Sequence, residues 1–205
     1  MTPTPTTGTP RFTDPRPVYT RATAQAAALI ATARPPQLTG PTPCTEFDVR
    51  ALLGHIVDGT RRIAVVGEGG DGFAVEPIAD GIADDGWAKA YDEARVRVLK
   101  AWASDERMTS MVRVPWGEVP GHAALSGYVM EIVTHTWDLA EGLGHPFELD
   151  PELAGFALDT ARRQLPDSRP RDAGTPFDDR REAAEGAGIH ERLAAWMGRV
   201  PLSRA

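Results

Sequence analysis

Four side chains in this 205-residue chain could do chemistry together. Glu131, His135 and Asp138 stand at i, i+4 and i+7 in the stretch Tyr128-Val129-Met130-Glu131-Ile132-Val133-Thr134-His135-Thr136-Trp137-Asp138. At about 100° per residue they share one helix face, with neighbouring members roughly 5–6 Å apart at Cβ. A carboxylate and an imidazole so placed can converge on one metal ion or one proton-transfer site, or they can form an ordinary solvated face. The segment also carries Tyr128, Ile132, Trp137 and Leu139, which is too apolar for a simple surface ribbon, and polar groups half-buried in it need partners. The fourth candidate, His55, lies in an upstream helix on the flank of its apolar stripe. Alone it reads as an ordinary surface or boundary histidine. If the two helices are neighbours, His55 faces Glu131 and His135, and two imidazoles with one carboxylate leave coordination positions open, as a catalytic metal site requires. Zinc, nickel and iron all suit that donor set. Glu131-x-x-x-His135 is not the H-E-x-x-H of zinc proteases.

The elements that must position these residues read as helices. Val18, Ala22, Gln25, Ala26, Leu29, Ile30 and Ala33 recur at three and four and predict a first helix that stops before Pro35-Pro36. Asp48 or Thr45 caps a second, and Thr45-Glu46-Phe47-Asp48 has the outline of a capping box. Its apolar stripe runs from Val49 through Leu52, Leu53, Ile56, Val57 and Thr60 to Ile63 and Ala64. Gly67-Glu68-Gly69-Gly70-Asp71-Gly72 matches G-x-G-x-x-G, but the preceding apolar run has a helical period and two acidic residues occupy the place of a pyrophosphate. Pro77 also interrupts the helix such a site needs, so the stretch reads as an interhelical loop. Trp87, Tyr91, Ala94, Val98, Ala101 and Trp102 define a third helix.

Met111, Val112, Val114 and Trp116, closed by Pro120-Gly121, predict a short strand or hairpin. A fourth helix follows over about 121–142, with Leu125, Tyr128, Val129, Ile132, Thr136, Leu139, Ala140 and Leu143 as its stripe. Pro151 opens a fifth, with Leu153, Phe156, Ala157, Thr160 and Ala161 inward, which ends at Pro166. Residues 166–188 read as a long surface excursion or a lid, and Ile189, Leu193, Trp196 and Met197 mark a last short helix. The fold class expected is all-α: an up-down four-helix bundle with extra C-terminal helices and a short hairpin before the fourth helix. Residues 1–15, rich in Thr and Pro, read as a disordered arm, and 16–200 as one domain.

Bulk properties narrow the partners. A net charge of −7 disfavours nucleic acid and anionic membranes, both of which call for a basic footprint. No stretch approaches the roughly 18 apolar residues of a membrane span. A single cysteine makes no internal disulfide, and with no signal-peptide pattern at the N-terminus a reducing cytoplasm fits. Monomer and homodimer are both open.

The segments Pro43-Cys44-Thr45-Glu46-Phe47-Asp48-Val49-Arg50-Ala51-Leu52-Leu53-Gly54-His55, Val114-Pro115-Trp116-Gly117 and Glu131 to Ala140 resemble an actinobacterial metal-binding family. That family is related to the N-terminal domain of mycothiol-dependent maleylpyruvate isomerase, within the DinB-like superfamily. The closing Arg192-Leu193-Ala194-Ala195-Trp196-Met197-Gly198-Arg199 also resembles the end of such chains. The resemblance implies a DinB-like four-helix bundle with a divalent metal, zinc in the isomerase, whose ligand positions fall on His55, Glu131 and His135. It implies thiol chemistry, in which mycothiol is activated as a thiolate that adds to or leaves a small electrophile. The sequence reads as lacking the isomerase's additional C-terminal domain, so the resemblance does not extend to the maleylpyruvate reaction itself.

Two functions follow. One is a metal-dependent mycothiol-type transferase or isomerase, with Asp138 orienting His135 or accepting a proton, unless Asp138 serves only as a cap or ion-pair partner. The other is a non-catalytic metal- or ligand-binding protein built on the same helices. His122, His145 and His190 read as capping or solvated residues, and Cys44 as a buried thiol packed under Phe47.

Overall fold

The computed structural model describes residues 13–144, 146–167, 171 and 177–203. Acidic side chains fix the starts of three helices. Asp48 accepts a hydrogen bond from the Ala51 amide at 2.8 Å and starts α2 (Val49–Glu68), so Asp48 and not Thr45 is its cap. Asp14 accepts from the Arg16 amide at 3.0 Å at the start of α1 (Arg16–Ile30). Asp150 caps α6 (Pro151–Gln164) through the Glu152 amide, with Pro151 in the first turn where a missing N–H costs nothing. The remaining helices are α3 (Trp87–Ala101), α4 (Asp105–Thr109), α5 (Gly121–Leu143) and α7 (Ile189–Trp196).

Four long helices touch in a closed order: α1 packs on α3 and α5, and α2 packs on those same two. Their apolar stripes meet in one core holding Tyr19, Leu29, Leu52, Leu53, Tyr91, Trp102, Leu125 and Leu139, all essentially inaccessible to solvent. The close seat of α3 against α2 depends on Gly67. A Cβ there would lie 2.5 Å from the Trp102 indole nitrogen, which donates to the Ile63 carbonyl at 3.0 Å. The glycine-rich stretch is therefore the end of α2 and the turn after it, with the apolar run Ile63 to Val66 inside the helix as its period implies. α6 packs on the outer side of α5, and α7 on both.

The fold is all-α with one two-stranded antiparallel hairpin, β1 (Met111–Val114) and β2 (Gly117–Pro120), in which Val112 pairs with Val119. Trp116 belongs to its turn rather than to a strand and is 44% exposed. The five-residue α4, capped by Ser104, has too few turns to show a period and was not expected from the sequence. α5 is no surface ribbon, in keeping with its apolar composition: nearly every residue from Ala124 to Leu139 is buried, with α1, α2 and α6 on its sides, so the solvated face that was the alternative is absent. Phe156 is only half-buried, whereas the other four residues expected inward on α6 are buried. Most of the expected 1–15 arm (residues 1–12), and residues 168–170 and 172–176 of the expected lid, lie outside the described residues.

Candidate metal centre

α2 and α5 lie side by side, and this brings His55, Glu131 and His135 together. One donor atom from each falls within 4.8 Å of the other two. The His55 Nε2 to Glu131 Oε1 separation is 3.5 Å, close to the roughly 3.4 Å between two ligands of one tetrahedral zinc ion with bonds near 2.1 Å. The two imidazoles meet edge to face with centroids 4.8 Å apart, and Phe47, just ahead of the α2 cap, stacks on His55 at 5.0 Å. The donors open on a cavity of about 20 Å³ walled also by Tyr19, Ile56, Ile63 and Tyr128, room for about one water-sized occupant. On its other side His55 forms part of the wall of a second, larger cleft of about 560 Å³, bounded by Phe47, Arg62, Asp80 and Trp87.

The electrostatics of this cluster suit a cation. Burial pushes the Glu131 carboxyl up, but the hydrogen bond from His55 and the fields of His55, His135 and Arg62 outweigh it and hold the group below the usual carboxylate range. Glu131 therefore stays ionised inside a largely apolar wall. Burial, reinforced by the Glu131 charge, pushes the Tyr19 and Tyr128 phenols well up, so both remain hydroxyl donors at neutral pH.

His135 is held from behind. Its Nδ1 lies 3.1 Å from Asp138 Oδ2, and a carboxylate can only accept, so Nδ1 carries a proton and Nε2 is the ring nitrogen left to meet a metal. Asp138 is fully buried, with Oδ2 also accepting from Arg199 Nε at 3.3 Å and Oδ1 without a hydrogen-bond partner among the described residues. Asp138 thus makes the contact to His135 and an ion pair at once. It does not join the other three donors as a fourth. The donor set, a carboxylate with two imidazoles of which one is fixed in its metal-binding tautomer, fits a divalent ion such as zinc.

Sequence reasoning missed Arg199. The closing Gly198-Arg199 was legible as a motif, but nothing local showed that it reaches α5. Cys44 is buried as expected, yet its close polar neighbour is Arg199 Nη2 at 3.2 Å. Burial pushes its thiol up, with Arg199 pulling the other way, so it is not an activated nucleophile. His190 is half-buried, its Nε2 is enclosed without a partner, and burial pulls its pKa down. It lies at the helix end expected, in the first turn of α7, but it is not solvated. His122 sits in the first turn of α5, partly covered, and His145 lies outside the described residues.

Residues 19–140 match the family described as mycothiol maleylpyruvate isomerase N-terminal domain. The chain belongs to that family. The match takes in His55, Glu131, His135 and Asp138 and ends before Arg199. Two relatives from Mycobacterium tuberculosis match over a longer stretch: uncharacterized protein Rv0738 of strain ATCC 25618 / H37Rv and uncharacterized protein MT0763 of strain CDC 1551 / Oshkosh. Each is 34% identical over 187 residues, covering 91% of this chain and 98% of the relative. No solved structure matches the chain. Among the described residues, no helix is long and apolar enough to cross a membrane.

Proposed function

We propose that this protein is a divalent-metal-dependent transferase or isomerase that uses mycothiol or a similar low-molecular-weight thiol on a small electrophile. In this reading His55, Glu131 and His135 are the metal ligands, zinc is the expected metal, and residues 16–200 form one DinB-like domain. The closed contact order of α1, α3, α2 and α5 supports the four-helix-bundle part of the reading. The observation that carries the function is the convergence of three donors on a cavity that shares His55 with a cleft of about 560 Å³, a volume suited to a small molecule.

A divalent ion bound there lowers the pKa of a thiol beside it, which makes the thiolate available at neutral pH. The chain's own groups do the rest. Asp138 keeps the His135 proton on Nδ1, so that Nε2 faces the site. Glu131 supplies the negative charge that offsets a cation. The aliphatic walls Ile56 and Ile63 limit the entry of water, and the Tyr19 and Tyr128 hydroxyls stay protonated as hydrogen-bond donors lining the cavity. Asp138 is too deeply covered to meet substrate, so its role is to orient His135.

A second reading, a non-catalytic metal- or ligand-binding protein, draws on the small cavity and on Phe177, which is buried with its ring 6.3 Å from that of His135. The two are separated by incubating zinc-loaded protein with mycothiol and a panel of electrophiles and analysing the products by mass spectrometry. The enzyme reading expects conjugates that disappear in His55→Ala and His135→Ala while the helical fold is retained. Metal bound without conjugates supports the binding protein, and full conjugating activity in either variant overturns the proposed site.

A further inference from the structure

We infer that Arg199 is a positioning residue of the metal centre, setting the orientation and tautomer of His135 through the buried Asp138 carboxylate. The inference rests on the metal-site reading above. The local chain is shaped to deliver this side chain inward. α7 ends at Trp196, and the Arg199 amide donates back to the Ala194 carbonyl at 2.9 Å. The turn between them uses Gly198 at φ +77°, where a Cβ would lie 2.5 Å from that of Asp178. Only glycine satisfies both the left-handed backbone and the close approach. Arg181 Nε holds the same turn by donating to the Gly198 carbonyl at 2.8 Å.

The guanidinium then lies almost wholly out of water, 5% exposed. Nε reaches Asp138 Oδ2 at 3.3 Å, Nη2 reaches Cys44 Sγ at 3.2 Å, and the group sits over the Phe177 ring at 5.6 Å. Burying an arginine this deeply is costly unless a partner repays it, and among the described residues the carboxylate that pairs with it is the one that holds His135 Nδ1. The pair on Oδ2 fixes the plane of the carboxylate, and the carboxylate fixes the ring. Arg199 also bridges to the segment leading into the ligand helix α2, since Cys44 lies only four residues ahead of its cap Asp48. One side chain thus braces both ligand-bearing elements from behind. Groups that orient a metal-binding histidine typically matter by about 10–100-fold in metal affinity.

The test uses the full chain with Co²⁺ as the probe, titrated into wild type, Arg199→Met and Arg199→Lys, together with nitrogen-detected NMR of the metal-free histidines. Arg199→Met is expected to weaken Co²⁺ binding by about 10–100-fold and to add an Nε2–H population at His135. Arg199→Lys, which keeps a charged donor for Asp138, should recover most of both. In an Asp138→Asn background Arg199→Met should add less than about threefold, because groups acting through one another are not additive. Should Arg199→Met fail to fold, Arg199→Gln, which removes the charge but keeps a polar head, takes its place in the same cycle with Asp138→Asn. Unchanged affinity and tautomer with a lower melting temperature, or full additivity with Asp138→Asn, overturns the inference. If wild type binds no Co²⁺, the metal reading fails, and the metal-free tautomer comparison still decides the role of Arg199.

Discussion

Replacing Asp138 by alanine tests the buried ion pair directly, and its cost can be worked from the contacts. The carboxylate has no exposed surface, and one of its oxygens receives both His135 Nδ1 at 3.1 Å and Arg199 Nε at 3.3 Å. These separations are at the long end for such bonds, so each contributes near the lower bound of about 1.5 kcal/mol for a charged partner. Asp138→Ala also strands a guanidinium that is 5% exposed. The nearby Cys44 cannot take over as counter-ion, because burial raises its pKa and leaves it a neutral thiol. Removing one member of a buried pair costs about 3–5 kcal/mol, a large share of the roughly 5–15 kcal/mol that holds a domain together. For a chain of this size that is about 6–20 °C in melting temperature. The assay is urea and thermal unfolding of metal-free protein followed by far-ultraviolet circular dichroism. Asp138→Asn, which keeps an acceptor, should lose about half as much. Arg199→Met added to Asp138→Ala should recover stability, since the stranded charge goes with it. A loss below about 1 kcal/mol for Asp138→Ala, or a double variant whose losses simply add, would refute the reasoning.

Other outcomes follow from the same geometry. Glu131 has its folded pKa depressed, so its contribution to stability is present above the ordinary unfolded value of about 4.3 and is lost as pH falls through the lower folded value. Glu131→Gln should flatten that acidic step in an unfolding series of metal-free protein, and an unaltered step would contradict the assignment. His190 and His122 are both held down by burial, so the unfolded chain binds protons first and stability declines as pH drops below about 6.5. His190→Gln should remove part of that decline, as measured by melting temperature against pH, with His122 supplying the remainder. Gly67→Ala forces a methyl against the Trp102 indole and should cost about 1–3 kcal/mol in urea unfolding. A neutral result would mean α3 yields at that contact.

What the sequence disclosed about this protein was whatever repeats over a few residues. Trp87, Tyr91, Ala94 and Val98 recur with the helical period and do lie buried on one face of α3. Asp48 has the chemistry of a cap and serves as one. Glu131 and His135 are one turn apart, so their convergence followed once α5 was recognised as a helix, and His55 joined them because α2 and α5 pack side by side. Relations across the chain left no such trace. α5 displays a polar triad in a helical wheel, yet α1, α2 and α6 around it bury most of that face. Arg199 meets Asp138 across 61 positions, and no local period encodes a partner at that distance. Trp116 looks like strand material by composition, but the hairpin register sets it in the turn.

The Asp138–Arg199 pair also orders events during synthesis. Asp138 is made 61 residues before the guanidinium that neutralises it, an interval of about 3–12 s at typical translation rates of about 5–20 residues per second. Throughout that interval His55, Glu131 and His135 exist in the nascent chain while the brace behind His135 does not. The contact that holds the Asp138 carboxylate from behind therefore forms only after all three candidate ligands have been made.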